Sequence, residues 1–103
     1  MDTPVKLSHT SALILQTISH GYCYGFDIMD VTGLPSGTVY PILGKLEDSG
    51  FLTSRWEDQR IARREKRPAR RSYEITGTGR EALHDSVRKY RNVQRLAPRK
   101  VMS

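Results

Sequence analysis

The sequence has few of the features that mark a secreted or membrane-spanning protein. It contains one cysteine, Cys23, so no internal disulfide can form. There is no secretory signal, and the apolar stretch from Ser11 to Ile18 is far too short to cross a bilayer. We therefore expect a reduced, cytoplasmic protein. A length of 103 residues leaves room for one main domain.

The chain also lacks the motifs of common enzymes. It has no Gly-rich phosphate loop, no H-E-x-x-H pair and no nucleophile elbow. Its three histidines lie far apart, with no cysteine or carboxylate around them at metal-ligand spacing. We expect no enzymatic activity, no metal and no other cofactor.

Charge is distributed unevenly along the chain. The formal net charge is +6, yet residues 1–54 hold only two basic side chains against five acidic ones. Residues 55–71 hold eight and three, and residues 80–103 hold seven and two. This distribution points to a polyanionic partner or an acidic surface. With 37% hydrophobic residues the core is lean for so short a chain, which favours dimerisation.

The first half of the chain has the spacing of helices. One helix is predicted to begin at Ser8 or His9 and to end before Gly21. A second, of at most two turns, follows Gly25 and can place Phe26 and Met29, with Ile28 beside them, on one face.

A third helix is predicted over about residues 36–49, with Ser36 as its N-cap and Pro41 near its start. Its apolar stripe consists of Val39, Ile42, Leu43 and Leu46. A different face carries Thr38, Tyr40, Pro41 and Lys45.

The second half predicts a hairpin and a last helix. Residues 51–57 and 71–76 have strand composition, and Trp56 is most simply a packing residue of this hairpin. Residues 58–70 show no apolar pattern and are predicted to be a loop. The last helix begins with a capping box at Thr78 and Glu81, or with Thr76 as the alternative cap, and runs to about residue 95.

This order of elements predicts a mainly α fold with a two-stranded β-wing, the winged helix-turn-helix. Residues 1–78 would form the DNA-binding domain, and residues 79–103 a dimerisation helix with a basic tail. The third helix would enter the major groove, and the wing, residues 57–71, would contact phosphates or the minor groove. The candidate DNA-binding residues are Ser36, Gly37, Thr38, Tyr40, Pro41, Lys45, Arg60, Arg63, Arg64, Lys66, Arg67 and Arg70. The candidate dimer residues are Leu83, Val87, Tyr90 and Leu96.

From about Leu7 to Leu83 the sequence resembles the PadR-type transcriptional regulators. The resemblance rests on G-T-x-Y-P at residues 37–41, L-E-x-x-G at residues 46–50, and residues 24–28 and 71–76. It implies a dimeric repressor that binds an operator, which we expect to be an inverted repeat. It also implies that the last helix supplies much of the dimer interface. Small members, which lack a C-terminal helical domain as expected here, can bind effectors at that interface. The segment between Gly25 and Gly37 is shorter than usual in the family, which predicts a stunted second helix.

Several alternatives remain open from the residues alone. A basic wing also suits an RNA-binding or ribosome-associated winged helix, and a protein-interaction module with an acidic partner is a third hypothesis. Tyr40 can lie half-buried, with only its hydroxyl in reach of the DNA backbone. Pairing with Glu57, Asp58 or Glu65 would lower the number of wing arginines that are free to contact phosphate.

Overall fold

The computed structural model describes residues 7–95, and side chains as far as Lys89. This part of the chain contains five helices and two strands. In order they are α1 (His9–Ser19), α2 (Gly25–Thr32), α3 (Ser36–Asp48), β1 (Leu52–Trp56), α4 (Gln59–Arg64), β2 (Arg71–Ile75) and α5 (Gly77–Arg95).

Helix α1 lies at the centre of the core, as its apolar stripe predicts. Ser8 caps it, because its hydroxyl accepts a hydrogen bond from the Ser11 N–H at 3.0 Å. Ile14, Leu15 and Ile18 are buried among residues of the other elements. Gly21, at φ 104°, reverses the chain just after the helix, which confirms the predicted end.

Helix α2 is short, as expected, but the three residues predicted to share one face differ widely in burial. Phe26 is 72% exposed, whereas Ile28 is fully buried and Met29 is half-buried. The helix packs against both α1 and α3, so the residues one turn apart that face this junction are Gly25 and Ile28. Phe26 follows Gly25 directly and turns toward solvent.

Helix α3 buries Val39, Leu43 and Leu46, which confirms the predicted stripe, with Ile42 half-buried beside them. Ser36 is not the N-cap, however. Pro35 occupies that position in an extended conformation, and its carbonyl accepts from the N–H groups of Thr38 and Val39 at 3.0 Å each. The fixed φ of proline suits the entry to a helix, but its ring carries no acceptor, so no side-chain cap forms.

Pro41 lies inside α3 rather than near its start. Because it has no N–H, the carbonyl of Gly37 loses its helical partner. Both residues are exposed, so water can hydrate this carbonyl and the helix continues through the proline.

Strands β1 and β2 form the predicted antiparallel hairpin. Leu52 pairs with Ile75 and Ser54 with Tyr73, and these four side chains lie on the face toward the core. On the other edge of β2, the Tyr73 N–H donates to the Cys23 carbonyl at 2.7 Å, so the chain leading into α2 extends the sheet.

The connection between the strands is a folded element, contrary to the prediction of a loop with nothing to bury. It contains α4, and Ala62 in this helix is only 2% exposed. A six-residue helix with one small buried side chain leaves no apolar periodicity to detect, since arginines occupy most of its other positions.

Helix α5 begins at the alternative cap. The Thr76 hydroxyl accepts from the Gly79 N–H at 3.0 Å and donates to the Gly50 carbonyl at 2.7 Å, so the capping box at Thr78 is wrong. A Cβ on Gly79 would lie 2.2 Å from the Phe51 carbonyl oxygen, so the start of α5 packs directly on the corner between α3 and β1. Leu83 then packs against the core.

Candidate nucleic-acid interface

The surface of α3 carries the residues proposed to contact DNA. Apart from Thr38, which is half-buried, these side chains and Gly37 are exposed. The exposed set is Ser36, Gly37, Tyr40, Pro41 and Lys45. Burial of Val39, Leu43 and Leu46 fixes which face is left at the surface, because residues three or four apart share one side of a helix.

Tyr40 is 47% exposed and lies against the start of α2. A Cβ on Gly25 would meet the Tyr40 hydroxyl and ring at 2.7 Å. Only glycine therefore lets this ring pack on the α2 backbone. Tyr40 therefore packs on α2 through one side, with its hydroxyl against the α2 backbone, and exposes its other side. The role of Gly25 could not be read from its neighbours along the chain.

At the base of the wing, Glu57 and Arg67 form a bidentate ion pair. The Arg67 guanidinium donates to the two Glu57 oxygens at 2.5 and 2.8 Å, and the side chains are only 26% and 14% exposed. The Arg67 hydrogen bond lowers the pKa of Glu57 to about 2 and raises that of Arg67. The Glu57 N–H also donates to the Arg70 carbonyl at 2.8 Å, which extends the hairpin ladder by one pair.

Asp58 anchors the start of α4. Its carboxylate accepts from the Arg60 backbone N–H at 2.8 Å and from the Arg60 side chain at 3.1 Å. The Arg60 side-chain and backbone hydrogen bonds lower the pKa of Asp58. Arg60 thus has a carboxylate partner within its own turn, although its side chain stays exposed.

Lys66 ends α4 in a left-handed conformation, with φ 56°. The Lys66 N–H donates to the Arg63 carbonyl and the Arg67 N–H to the Ala62 carbonyl, both at 3.1 Å. These two bonds define a helix-terminating motif in which glycine is the usual residue at the left-handed position. Among non-glycine residues of the described chain, Lys66 alone has a positive φ.

The wing cations therefore divide into two groups. Arg60 and Arg67 pair with carboxylates, and the Arg70 guanidinium lies 4.8 Å from the centre of the Tyr24 ring. The exposed side chains of Arg63, Arg64 and Lys66 make no ion pair or hydrogen bond within the described residues. We name these three side chains the tip cations.

An ion pair that the sequence reasoning missed joins α3 to the wing. The Arg71 guanidinium donates to Glu47 at 3.0 Å and lies 5.6 Å from the centre of the Trp56 ring. Trp56 itself is 62% exposed, yet its ring packs on the guanidinium of its cross-strand partner Arg71, so it is a packing residue of the hairpin that lies outside the buried core. It lies on the inner face of the hairpin but beyond the end of the core, opposite Arg71.

The predicted dimer stripe is described only in part. Leu83 and Val87 are half-buried on α5. The side chain of Tyr90 and the whole of Leu96 lie outside the described residues.

Within the described part of the chain, no group of three or more His, Cys, Asp or Glu residues is placed to hold a metal ion. No helix there has both the length and the apolar character needed to span a membrane.

Three helices followed by a two-stranded wing and a long helix define a winged helix-turn-helix protein. The profile of the transcriptional regulator PadR-like family matches residues 14–85. The chain therefore belongs to the PadR-like family of transcriptional regulators. Comparison with curated proteins gives no significant match.

Solved structures share the fold. A PadR family transcription regulator from Clostridium difficile superposes with a TM-score of 0.76 at 20% identity, over 86% of this chain and 94% of that one. A Streptococcus mutans protein gives 0.71 at 26%, over 91% and 87%. Bacillus subtilis PadR, solved in complex with operator DNA, gives 0.69 at 22%, over 93% and 54%.

Proposed function

We propose that this regulator is a homodimeric repressor that binds double-stranded DNA sequence-specifically, with α3 in the major groove. The main observation that supports this proposal is the arrangement of α3, whose apolar residues are buried while Tyr40 and Lys45 lie at the surface. Side chains at such a helix surface can reach base edges and phosphates. Bacillus subtilis PadR, which shares the fold, has been solved in complex with operator DNA, and this supports DNA as the partner.

The wing would contribute mainly phosphate contacts. We assign these contacts to the tip cations, because the other wing arginines already have partners within the protein. Three contacts predict that each wing adds about −2.7 to the slope of log K against log[salt], at about −0.9 per phosphate. Contacts from five or six wing cations would give a steeper dependence.

Dimerisation would use α5. Val87 is half-buried and lies one turn beyond Leu83, so the apolar stripe continues past the residue that packs on the core. A second copy of this stripe would cover it. We retain the division into residues 1–78 and 79–103 as a proposal, with the last helix as the dimer element. We also place the protein in the cytoplasm, where a lone cysteine stays reduced.

Selection of bound duplexes from a random pool would test this function. We expect an inverted repeat, with half-sites about one helical turn apart, since a two-fold symmetric dimer presents two copies of α3. Enrichment of one unpaired half-site would reject the dimer. No enrichment of any duplex, together with preferential binding of structured RNA, would replace the proposal by the RNA-binding alternative.

A further inference from the structure

Three side chains from three different elements meet where α3 approaches the wing. Glu47 lies in the last turn of α3, Ser54 in β1 and Arg71 at the start of β2. The Ser54 hydroxyl donates to Glu47 at 2.6 Å and accepts from two nitrogens of Arg71 at 2.8 and 3.0 Å. With the direct Arg71–Glu47 bond at 3.0 Å, these contacts form a closed triangle, which we name the helix–wing triad.

The surroundings hold the triad in place. All three side chains are half-buried, and the Arg71 guanidinium lies within 5.7 Å of the ring centres of both Trp56 and Tyr73. Arginine suits this site because its planar fork can bond two acceptors while stacking on aromatic faces. Within residues 7–95, no other side-chain hydrogen bond joins α3 to either strand of the hairpin.

The position of Glu47 is locally unfavourable. An acidic side chain in the last turn of a helix faces the negative end of the helix dipole, which costs roughly 0.3–1 kcal/mol when uncompensated. Near DNA, the same charge would also repel phosphates. The positive charge of Arg71 offsets both effects. A glutamate at position 47 is therefore explained by its contact with Arg71 across the fold, and not by its position in the helix.

We propose that Glu47, Ser54 and Arg71 are positioning residues that set the angle between α3 and the wing. The inference rests on the proposed function, because it requires both elements to contact one duplex at the same time. A fixed angle lets α3 enter the major groove while the tip cations reach the neighbouring backbone. Arg71 acts through Glu47 and Ser54, and does not itself contact a phosphate.

A rival role for Arg71 is direct contact with phosphate, with Glu47 only as a competitor. The substitution Arg71→Lys separates the two roles because it keeps the charge and removes the fork. A positioning role predicts that Arg71→Lys binds the selected duplex about two- to fivefold more weakly, in the range expected for a partly exposed ion pair. A direct phosphate contact predicts affinity close to wild type.

The substitution Glu47→Asp provides a second, independent variant. It keeps the negative charge but shortens the side chain by one methylene, so the carboxylate no longer spans the distance to Arg71. We expect the same two- to fivefold loss of affinity. The double variant, which combines Glu47→Asp with Arg71→Lys, should bind no more weakly than the weaker-binding single variant, because both substitutions break the same interaction. Matched controls are Arg55→Lys and Glu74→Asp, which lie on the outer face of the hairpin.

Fluorescence anisotropy on the selected and a scrambled duplex, over a series of salt concentrations, measures these effects. Weaker binding of the selected duplex by both variants, with unchanged binding of the scrambled duplex, is expected. Affinities equal to wild type for the selected duplex would overturn the positioning role. Failure of the wild-type protein to prefer the selected duplex would instead reject the proposed function.

Discussion

Replacing Lys66 with glycine is expected to stabilise the protein while weakening its DNA binding. A left-handed conformation costs an L-residue roughly 1–2 kcal/mol, and Lys66 adopts it at φ 56°. Glycine removes that cost but loses about 0.5–1 kcal/mol through its more flexible unfolded chain. From the midpoints of these two ranges the net gain is about 0.75 kcal/mol, or a rise of about 3–6 °C in Tm. Thermal unfolding followed by circular dichroism measures it.

The same substitution removes one proposed phosphate contact. Because each contact scales affinity with salt to a power of about −0.9, its loss weakens binding about fivefold per wing at 0.15 M salt. Lys66→Ala is the matched control, since it loses the charge but keeps the strain. It should bind as weakly as Lys66→Gly and be less stable. If Lys66→Gly binds like the wild type, the strained lysine is not a DNA contact and the reasoning fails.

Three other substitutions test the packing, the wing and the dimer. Gly79→Ala should destabilise the fold by about 1–3 kcal/mol, because its Cβ would lie 2.2 Å from a backbone oxygen, as denaturant unfolding can measure. Glu57→Gln should lower the protection of the wing amides from hydrogen exchange at neutral pH, because the ion pair with Arg67 is lost. In the wild type the same protection should be lost as pH falls from about 4.5 toward 2, where Glu57 becomes protonated. Val87→Glu should give a monomer in sedimentation equilibrium and reduce DNA affinity about 100-fold or more.

Each of these has a control or an outcome that contradicts it. Gly44→Ala, in open space on α3, should stabilise by about 0.5–1 kcal/mol, and equal effects at Gly44 and Gly79 would reject the close-packing argument. Protection factors of the wing amides in Glu57→Gln that still fall as the pH drops over the acid range would assign that pH dependence to other groups, and Glu74→Gln should behave like wild type. A Val87→Glu dimer would move the interface away from α5. Substitution of Leu83 is less informative, because this residue also packs on the core.

The elements with regular apolar spacing could be predicted from the sequence. The stripe of α3 and the alternation of β1 and β2 depend on residues a few positions apart, and local geometry sets those patterns. Helix α4 could not be found this way because only Ala62 is buried in it. Which residues of α2 are buried could not be predicted either, because the positions of α1 and α3 on either side decide it.

The residue types in the sequence predicted a DNA-binding site, but ion pairs within the protein decide which cations are available to contact DNA. Arg67 and Lys66 are adjacent in the sequence and both carry a positive charge, yet Arg67 binds Glu57 ten positions away while Lys66 has no partner within the described chain. The Glu47–Arg71 contact spans 24 positions, beyond the reach of any local pattern. Such contacts exist only once the hairpin has folded against α3.

The proposed function depends on recognition of a specific DNA sequence by this PadR-like protein. Anisotropy titration at 0.15 M salt compares the selected duplex with a scrambled duplex of equal length and with a structured RNA. The selected duplex should bind at least about 10³-fold more tightly than either competitor. Equal affinity for the two duplexes, or preference for the RNA, would contradict it.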